Sequence, residues 1–119
     1  YLIKMSEISQ LIKKIIDFRK KRDWEQFHNP KDVALSLVLE AAEVLEFFQW
    51  KNEAEIKKLL KNKKEEISDE LADVLYWILL MSHDFGIDIR EALNKKIKKN
   101  EKKYPVNKSK GKHNKYTEL

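Results

Sequence analysis

Glycine and proline are almost absent from this chain, with two of each in 119 residues. Such a chain has little material for tight turns and hairpins, so sheets of short strands are disfavoured. Apolar residues instead recur every three or four positions, which is the spacing of one helix face. A content of 42% hydrophobic and 38% charged residues suits amphipathic helices better than disorder. We therefore predict an all-α fold, a bundle of four to five helices.

Capping residues and hydrophobic periodicity place the predicted helices. Asn29 and Pro30 suit the start of the second helix, Gly86 the end of the fourth and Asp88 the start of the fifth, which Pro105 stops. The predicted helices cover residues 6–21, 30–50, 53–61, 64–85 and 89–104, with an ordered loop at 22–28. Residues 1–105 then form the helical domain, and 106–119 an extended basic C-terminal tail without regular structure of its own.

Charge is unevenly distributed. Residues 95–119 carry ten lysines against two glutamates, a balance of +8, so residues 1–94 sum to −3. Such a tail suits a solvated end or a phosphate-bearing ligand, and nucleic acid is disfavoured because only Tyr104 and Tyr116 lie among its lysines. The longest apolar run, Val74–Met81, is too short to span a membrane, and no signal peptide is visible. We expect a cytoplasmic protein.

Two predicted helices each carry a pair of carboxylates three residues apart, Glu40 with Glu43 and Glu70 with Asp73. Residues so spaced lie within about 60° of each other on a helix. Both helices are apolar nearly all round, and neither Val33–Trp50 nor Ile67–Phe85 contains a lysine or arginine. Buried carboxylates need a proton, a cation or a metal. The alternative places the acids at the mouth of a bundle, paired with distant lysines.

A divalent cation is the simplest way to hold four such acids together. The chain has no cysteine, so a metal must be held by oxygen or imidazole, and oxygen ligands favour magnesium, manganese or calcium over zinc. The segments EAAEVLEFF and ELADVLYWI also match each other at an offset that superimposes both acid pairs. This similarity suggests two facing helices, the second and the fourth, around one metal site.

The pattern E-x-x-E, followed about thirty residues later by E-x-x-D, resembles the all-alpha nucleotide pyrophosphohydrolase superfamily, the MazG-like enzymes, and most closely its dCTP pyrophosphatase branch. The segments RDWEQFH at 22–28, FQWK at 48–51, Tyr104-Pro105 and the terminal KYTEL carry that closer resemblance. It implies magnesium (or manganese) bound by Glu40, Glu43, Glu70 and Asp73. It also implies hydrolysis of dCTP or a related pyrimidine deoxynucleotide to monophosphate and pyrophosphate, a reaction that cleans the nucleotide pool.

Candidate substrate-binding residues follow from the same resemblance. Trp24, Trp50 and Trp77 are candidates for a base pocket or for the core, and His28 for the pocket or for a surface position. Lysine and amide donors at the end of the fifth helix suit phosphate oxygens, although an ordinary solvated face is the alternative. The candidates in that helix are Lys96, Asn100, Lys103 and Tyr104.

Two other functions remain open at this point. The same fold could hydrolyse dUTP or many nucleoside triphosphates, or the chain could be a non-catalytic helical module that binds nucleic acid or a partner. Helices that are apolar all round also predict a homo-oligomer, a dimer or a tetramer, because one small subunit cannot cover them.

Overall fold

A computed structural model describes residues 5–119, and all of its regular structure is helical. The prediction of an all-α fold is confirmed. Residues 1–4, where the predicted domain begins, lie outside the described part of the chain. The helices are α1 (Glu7–Lys21), α2 (Pro30–Glu46), α3 (Glu53–Asn62), α4 (Lys64–Asp84), α5 (Ile89–Lys103) and the short α6 (Val106–Ser109). Single 3-10 turns cover Glu25–Phe27 and Tyr116–Glu118.

Side-chain caps begin most of the longer helices. The Asn29 side chain accepts a hydrogen bond of 2.9 Å from the Asp32 amide, and Pro30 opens α2, as predicted. Asn52 and Glu55 form a reciprocal capping box that starts α3. The Asp88 side chain accepts from the Glu91 amide at 3.1 Å, and Gly86 adopts a left-handed φ of 66°, so the predicted break between α4 and α5 is confirmed.

The chain divides into two compact units, the first ending at Gly86 and the second covering Ile87–Leu119. In the first unit α4 is the central helix, packing against α1, α2 and α3. Its side chains Ile67, Leu79 and Leu80 are buried together with Val33 of α2, and they form the core. Burying this apolar surface provides the main driving force for folding of the unit.

The outer faces of α2 and α4 are not covered within the chain. The exposed fractions of their large apolar side chains range from 48% to 64%, and these residues are Leu35, Val38, Leu39, Leu45, Leu71 and Leu75. The expectation that both helices are apolar nearly all round is therefore correct, whereas only one face of each is buried in the single chain.

Helix α2 ends earlier than predicted. It was expected to continue to about Trp50, but its last residue is Glu46 and a turn follows. The Leu45 carbonyl accepts hydrogen bonds from the amides of Phe48 and Gln49, and Trp50 adopts a left-handed φ of 66°. The apolar pattern continues through Phe47 and Phe48, so periodicity alone does not reveal this reversal.

The second unit consists of α5, α6 and the final 3-10 turn. The prediction that residues 106–119 lack regular structure is wrong, because Val106–Ser109 and Tyr116–Glu118 are helical turns. Tyr116 packs edge-on against Tyr104 at 6.0 Å, and the Lys103 ammonium lies 4.8 Å from the Tyr116 ring. These contacts order a segment whose composition is that of a solvated tail. Within residues 5–119, no helix is both long and apolar enough to cross a membrane.

Candidate active site

Three of the four predicted acids meet between α2 and α4. Carboxylate oxygens of Glu40, Glu43 and Glu70 all lie within 4.8 Å of one another. Glu40 and Glu43 are one helical turn apart on α2, and the packing of α2 on α4 brings Glu70 opposite them. Glu40 and Glu70 are half-buried, whereas Glu43 is exposed. Three oxygen ligands at such distances suit a hard divalent cation.

Asp73 lies beside this trio and outside the 4.8 Å cluster. It is exposed, and its negative charge contributes to raising the pKa of both Glu40 and Glu70. Asp73 and Glu40 line the same cavity. The four predicted acids are therefore neighbours. Three of them form the cluster, and Asp73 lies beside it in the lining of the cavity.

The acidic trio lacks positive partners. Among residues 5–119, no lysine, arginine or histidine forms an ion pair with any of the four acids. One carboxylate oxygen each of Glu40 and Glu70 is buried without a hydrogen-bond partner in the described structure. A buried oxygen left in this way is costly, and an ion in the cluster would satisfy it. The donor set therefore fits a bound metal.

Crowding shifts the ionisation of this cluster. The pKa of Glu70 is raised to about 7, first because its protonated carboxyl can donate a hydrogen bond to Glu43, and burial and the charges of Glu43, Asp73 and Glu40 add to the shift. The pKa of Glu40 is raised by burial first, then because its protonated form can hydrogen-bond to Glu43, and by the neighbouring charges. Like charges held this close favour either a shared proton or a cation.

An aromatic cavity of about 500 Å³ adjoins the acids. Its lining residues come from α1, the following loop, α2 and α4, and they are Lys14, Ile15, Phe18, Trp24, Glu40, Asp73, Tyr76 and Trp77. Within it Phe18 packs edge-on against Trp24 at 5.7 Å and against Tyr76 at 6.2 Å, and Tyr76 against Trp77 at 5.2 Å. Flat aromatic walls beside oxygen ligands suit a heterocyclic base carrying phosphates.

Two of the three tryptophans predicted for the base pocket line the aromatic cavity, and the third does not. Trp24 and Trp77 both line the aromatic cavity, whereas Trp50 is 92% exposed and does not line it. His28 does not line the cavity either, but its ring packs edge-on against Trp77 at 5.5 Å. Burial lowers the pKa of His28 and the charge of Arg19 lowers it further, which disfavours the protonated imidazole.

A second cavity, of about 550 Å³, also adjoins the cluster. This polar cavity is lined by Glu43, Glu46, Phe47, Lys51, Leu59, Lys63, Glu66 and Glu70. Lys63 forms an exposed ion pair with Glu66 at 3.5 Å. Glu43 and Glu70 thus line a cavity rich in charged residues, whereas Glu40 and Asp73 line the aromatic one.

The predicted phosphate contacts lie in the second unit. Lys96, Asn100 and Lys103 are exposed on α5, and Tyr104 follows its last residue. The structure groups them on one helix, and their role in binding stays a prediction.

Sequence reasoning missed several cavity residues. Phe18 and Tyr76 line the aromatic cavity, and Lys63 and Glu66 the polar one. Helical spacing could have found some of them, because Glu70, Asp73 and Tyr76 follow one another every three residues, and Glu66 precedes Glu70 by four. Phe18 could not be found in this way, because its place depends on how α1 packs on α4.

Serine hydroxyls near the site are already engaged. Ser36 donates to the Asp32 carbonyl at 2.9 Å, and Ser68 donates to the Lys64 carbonyl at 2.7 Å. Each hydroxyl bonds to its own helix rather than to a base that could activate it, so neither is arranged as a nucleophile.

The chain is similar in sequence to mammalian proteins named dCTP pyrophosphatase 1. The chain is 39% identical over 105 residues to rat dCTP pyrophosphatase 1 and 35% identical over 105 residues to the human protein of that name. Each match covers 87% of this chain and 62% of the relative, so the chain spans less than two thirds of the length of these relatives.

A solved structure supports the fold independently. The crystal structure of a pyrophosphatase from Archaeoglobus fulgidus superimposes with a TM-score of 0.81 at 36% identity, covering 88% of this chain and 98% of that one. Residues 35–119 match the MazG-like family, a range that contains all four acids. On its sequence, its helical architecture and these matches, the chain belongs to the MazG-like family.

Proposed function

We propose that this protein is a magnesium-dependent nucleoside triphosphate pyrophosphohydrolase. Its substrate is dCTP or a closely related pyrimidine deoxynucleoside triphosphate, and its products are the monophosphate and pyrophosphate. The observation that carries the proposal is the convergence of Glu40, Glu43 and Glu70 within 4.8 Å beside an aromatic cavity of about 500 Å³. The relatives named dCTP pyrophosphatase support the choice of substrate.

The metal ligands in this proposal are Glu40, Glu43, Glu70 and Asp73, and manganese can substitute for magnesium. A metal held by these residues would neutralise phosphate charge and lower the pKa of a bound water. The base lies between the walls formed by Trp24 and Trp77, which orients the triphosphate toward the acids. Water attacks a phosphorus of the anhydride between the α- and β-phosphates, the bond from that phosphorus to the bridging oxygen breaks, and one glutamate of the cluster accepts the proton of the water.

Further contacts belong to the same proposal. Trp50 and His28 complete the base site, and Lys96, Asn100, Lys103 and Tyr104 contact phosphate oxygens, as the family resemblance implies. Lysine and amide donors are suited to that task. Residues 1–105 act as the catalytic domain, with 106–119 as its basic tail, in a cytoplasmic protein.

We also propose that the protein works as a homo-oligomer, a dimer or a tetramer. The support is the uncovered apolar face of α2 and α4, on which Val38 and Leu45 are more than 60% exposed. Apolar surface of this kind is disfavoured in water, and a second copy of the chain offers the same face in return.

A triphosphate panel tests the proposed reaction. Purified protein is incubated with each deoxynucleoside and ribonucleoside triphosphate, with magnesium and with excess chelator, and the products are separated by ion-exchange chromatography. We expect monophosphate to form fastest from a pyrimidine deoxynucleotide and only with metal. Turnover of dUTP or of all triphosphates would support broader specificity, and no turnover of any would support a binding module.

Matched variants test whether the four acids are required for turnover. Glu43→Gln and Asp73→Asn should abolish turnover, whereas Asp69→Asn should retain it, since Asp69 precedes Glu70 on α4 and lines neither cavity. Full activity in Glu43→Gln would overturn the assignment of the metal ligands.

A further inference from the structure

A partly buried ion pair joins the end of α1 to the end of α4. The two terminal guanidinium nitrogens of Arg19 donate to Asp84, Nη1 to Oδ2 and Nη2 to Oδ1, each at 2.8 Å. Arg19 is only 5% exposed, and 65 positions separate the two residues in sequence. Such a two-pronged contact fixes direction as well as distance, because the planar guanidinium matches the carboxylate.

The proposed chemistry does not use this pair. Neither Arg19 nor Asp84 lines the aromatic cavity or the polar cavity. Even a fully buried ion pair is often no more stabilising than well-packed apolar residues of similar volume, and here the Asp84 side chain is 23% exposed. Stability alone therefore does not account for the Arg19–Asp84 pair, and the residues that it contacts indicate what it holds in place.

Arg19 holds the loop that carries Trp24. The Arg19 carbonyl accepts hydrogen bonds from the backbone amides of Arg22 and Trp24, each at 3.2 Å. Its guanidinium also lies 3.9 Å from the Glu25 carboxylate. Both the backbone and the side chain of Arg19 thus contact the segment 22–25.

The loop itself is sharply bent. Asp23 adopts a left-handed φ of 54°, a backbone conformation that few residues other than glycine adopt and that aspartate tolerates better than most. This bend returns the chain so that the Trp24 ring lies 5.7 Å from Phe18, the residue directly before Arg19. The Arg22 guanidinium covers the Phe18 ring at 3.7 Å. The turn at Asp23 therefore places one wall of the aromatic cavity.

We propose that the Arg19–Asp84 pair is a positioning device, which anchors the bent loop at 22–25 to α4 so that Trp24 stays at the wall of the aromatic cavity. Its effect is on affinity for the base of the substrate and not on the chemical step. This inference rests on the proposed function, because it takes the ligand of the aromatic cavity to be a nucleotide. Arg19 and Asp84 are positioning residues, because neither lines the cavity.

A paired apolar replacement separates positioning from stability. The double variant Arg19→Met/Asp84→Leu removes both charges together and leaves no unpaired partner, so we expect it to fold with a melting temperature close to that of the wild type. With positioning lost, KM for the best triphosphate should rise about tenfold, which is within the range for a lost stacking platform, while kcat changes less than twofold. Lys95→Met/Glu91→Leu, which removes an exposed pair on α5, is the control and should change neither constant.

A double-mutant cycle tests whether the pair acts through Trp24. In a Trp24→Ala background, the apolar replacement should change KM less than twofold, because the wall that it positions is already gone. Equal effects in both backgrounds would mean that the pair does not act through Trp24. Should the double variant fail to fold, Arg19→Lys serves instead, since it keeps the charge and loses the two-pronged geometry.

Hydrogen exchange supplies a measurement independent of catalysis. We expect the apolar double variant to lose protection at the amides of residues 22–25 while the amides of α2 and α4 keep theirs. A wild-type protein without turnover would contradict the proposed function, whereas the exchange result would still decide the positioning inference. Unchanged protection at 22–25, or KM within twofold of wild type in the folded double variant, would overturn it.

Discussion

Glu40 of α2 and Glu70 of α4 face each other with one buried carboxylate oxygen each, and neither oxygen has a hydrogen-bond partner among residues 5–119. The two residues are thirty positions apart and come together with Glu43 because α2 packs on α4. A bound cation or a shared proton would satisfy these oxygens, so we expect the stability of the folded protein to depend on metal and on pH.

Metal binding should stabilise the fold. Since only the folded state assembles the three carboxylates, magnesium or manganese should raise the melting temperature in a concentration-dependent way. Glu70→Gln should abolish most of this rise, and Asp69→Asn, the neighbouring exposed acid, should retain it. Differential scanning fluorimetry over a metal titration measures both. Identical titrations for Glu70→Gln and the wild type would exclude Glu70 as a ligand.

Stability without metal should fall as the pH rises. The pKa of Glu70 is raised to about 7 when folded, above its ordinary value of 4.5. The folded state therefore binds the proton more tightly, and the free energy of unfolding declines as the pH rises from about 4.5 to about 7. Urea unfolding at several pH values in chelator measures this slope, which should be shallower in Glu70→Gln. A slope of the opposite sign in that range would contradict the assignment.

Replacing Trp24 should weaken substrate binding more than it slows the chemical step. Trp24→Ala should raise KM tenfold to a hundredfold with a smaller change in kcat, because a stacking wall is worth about 1–3 kcal/mol. A melting temperature that falls sharply with KM unchanged would instead make Trp24 a structural residue. Steady-state kinetics and thermal melts on the same preparations distinguish the two.

Trp50 allows a sharper test because it is 92% exposed with a left-handed φ of 66°. Trp50→Gly should stabilise the fold by about 1 kcal/mol, since glycine adopts that backbone freely and little packing is lost. Any rise in KM in this variant then reflects lost contact with substrate and not unfolding. Unchanged KM would remove Trp50 from the proposed base site.

Helix existence, caps and the acid pairs could all be predicted from sequence, because each depends on local spacing. The sequence could not predict that Phe18 lines the aromatic cavity or that Trp50 does not. Both facts follow from how the helices pack and where the chain reverses. The reversal after Glu46 is hidden because Phe47 and Phe48 prolong the apolar pattern. The order of the last fourteen residues depends on the Tyr104–Tyr116 contact, which joins positions twelve apart.

The apolar face of α2 should govern assembly. Val38→Glu places a charge on a residue that is 63% exposed in the single chain, so it should dissociate the oligomer with little effect on the folded subunit. Val106→Glu, at an apolar residue 76% exposed in the second unit, is the matched control. Light scattering coupled to size exclusion gives the mass of each. A wild-type mass near 14.3 kDa at micromolar concentration would contradict the proposed oligomer.

Phosphorus NMR of dCTP turnover tests the central claim most directly. With magnesium, the wild type and Asp69→Asn should convert the three triphosphate resonances into those of a monophosphate and pyrophosphate, and Glu70→Gln should leave them unchanged. Neither diphosphate nor inorganic phosphate should accumulate, because the bond that breaks joins the α- and β-phosphates. Release of a diphosphate with inorganic phosphate, or equal turnover by Glu70→Gln, would contradict this account of the reaction and of the acids that perform it.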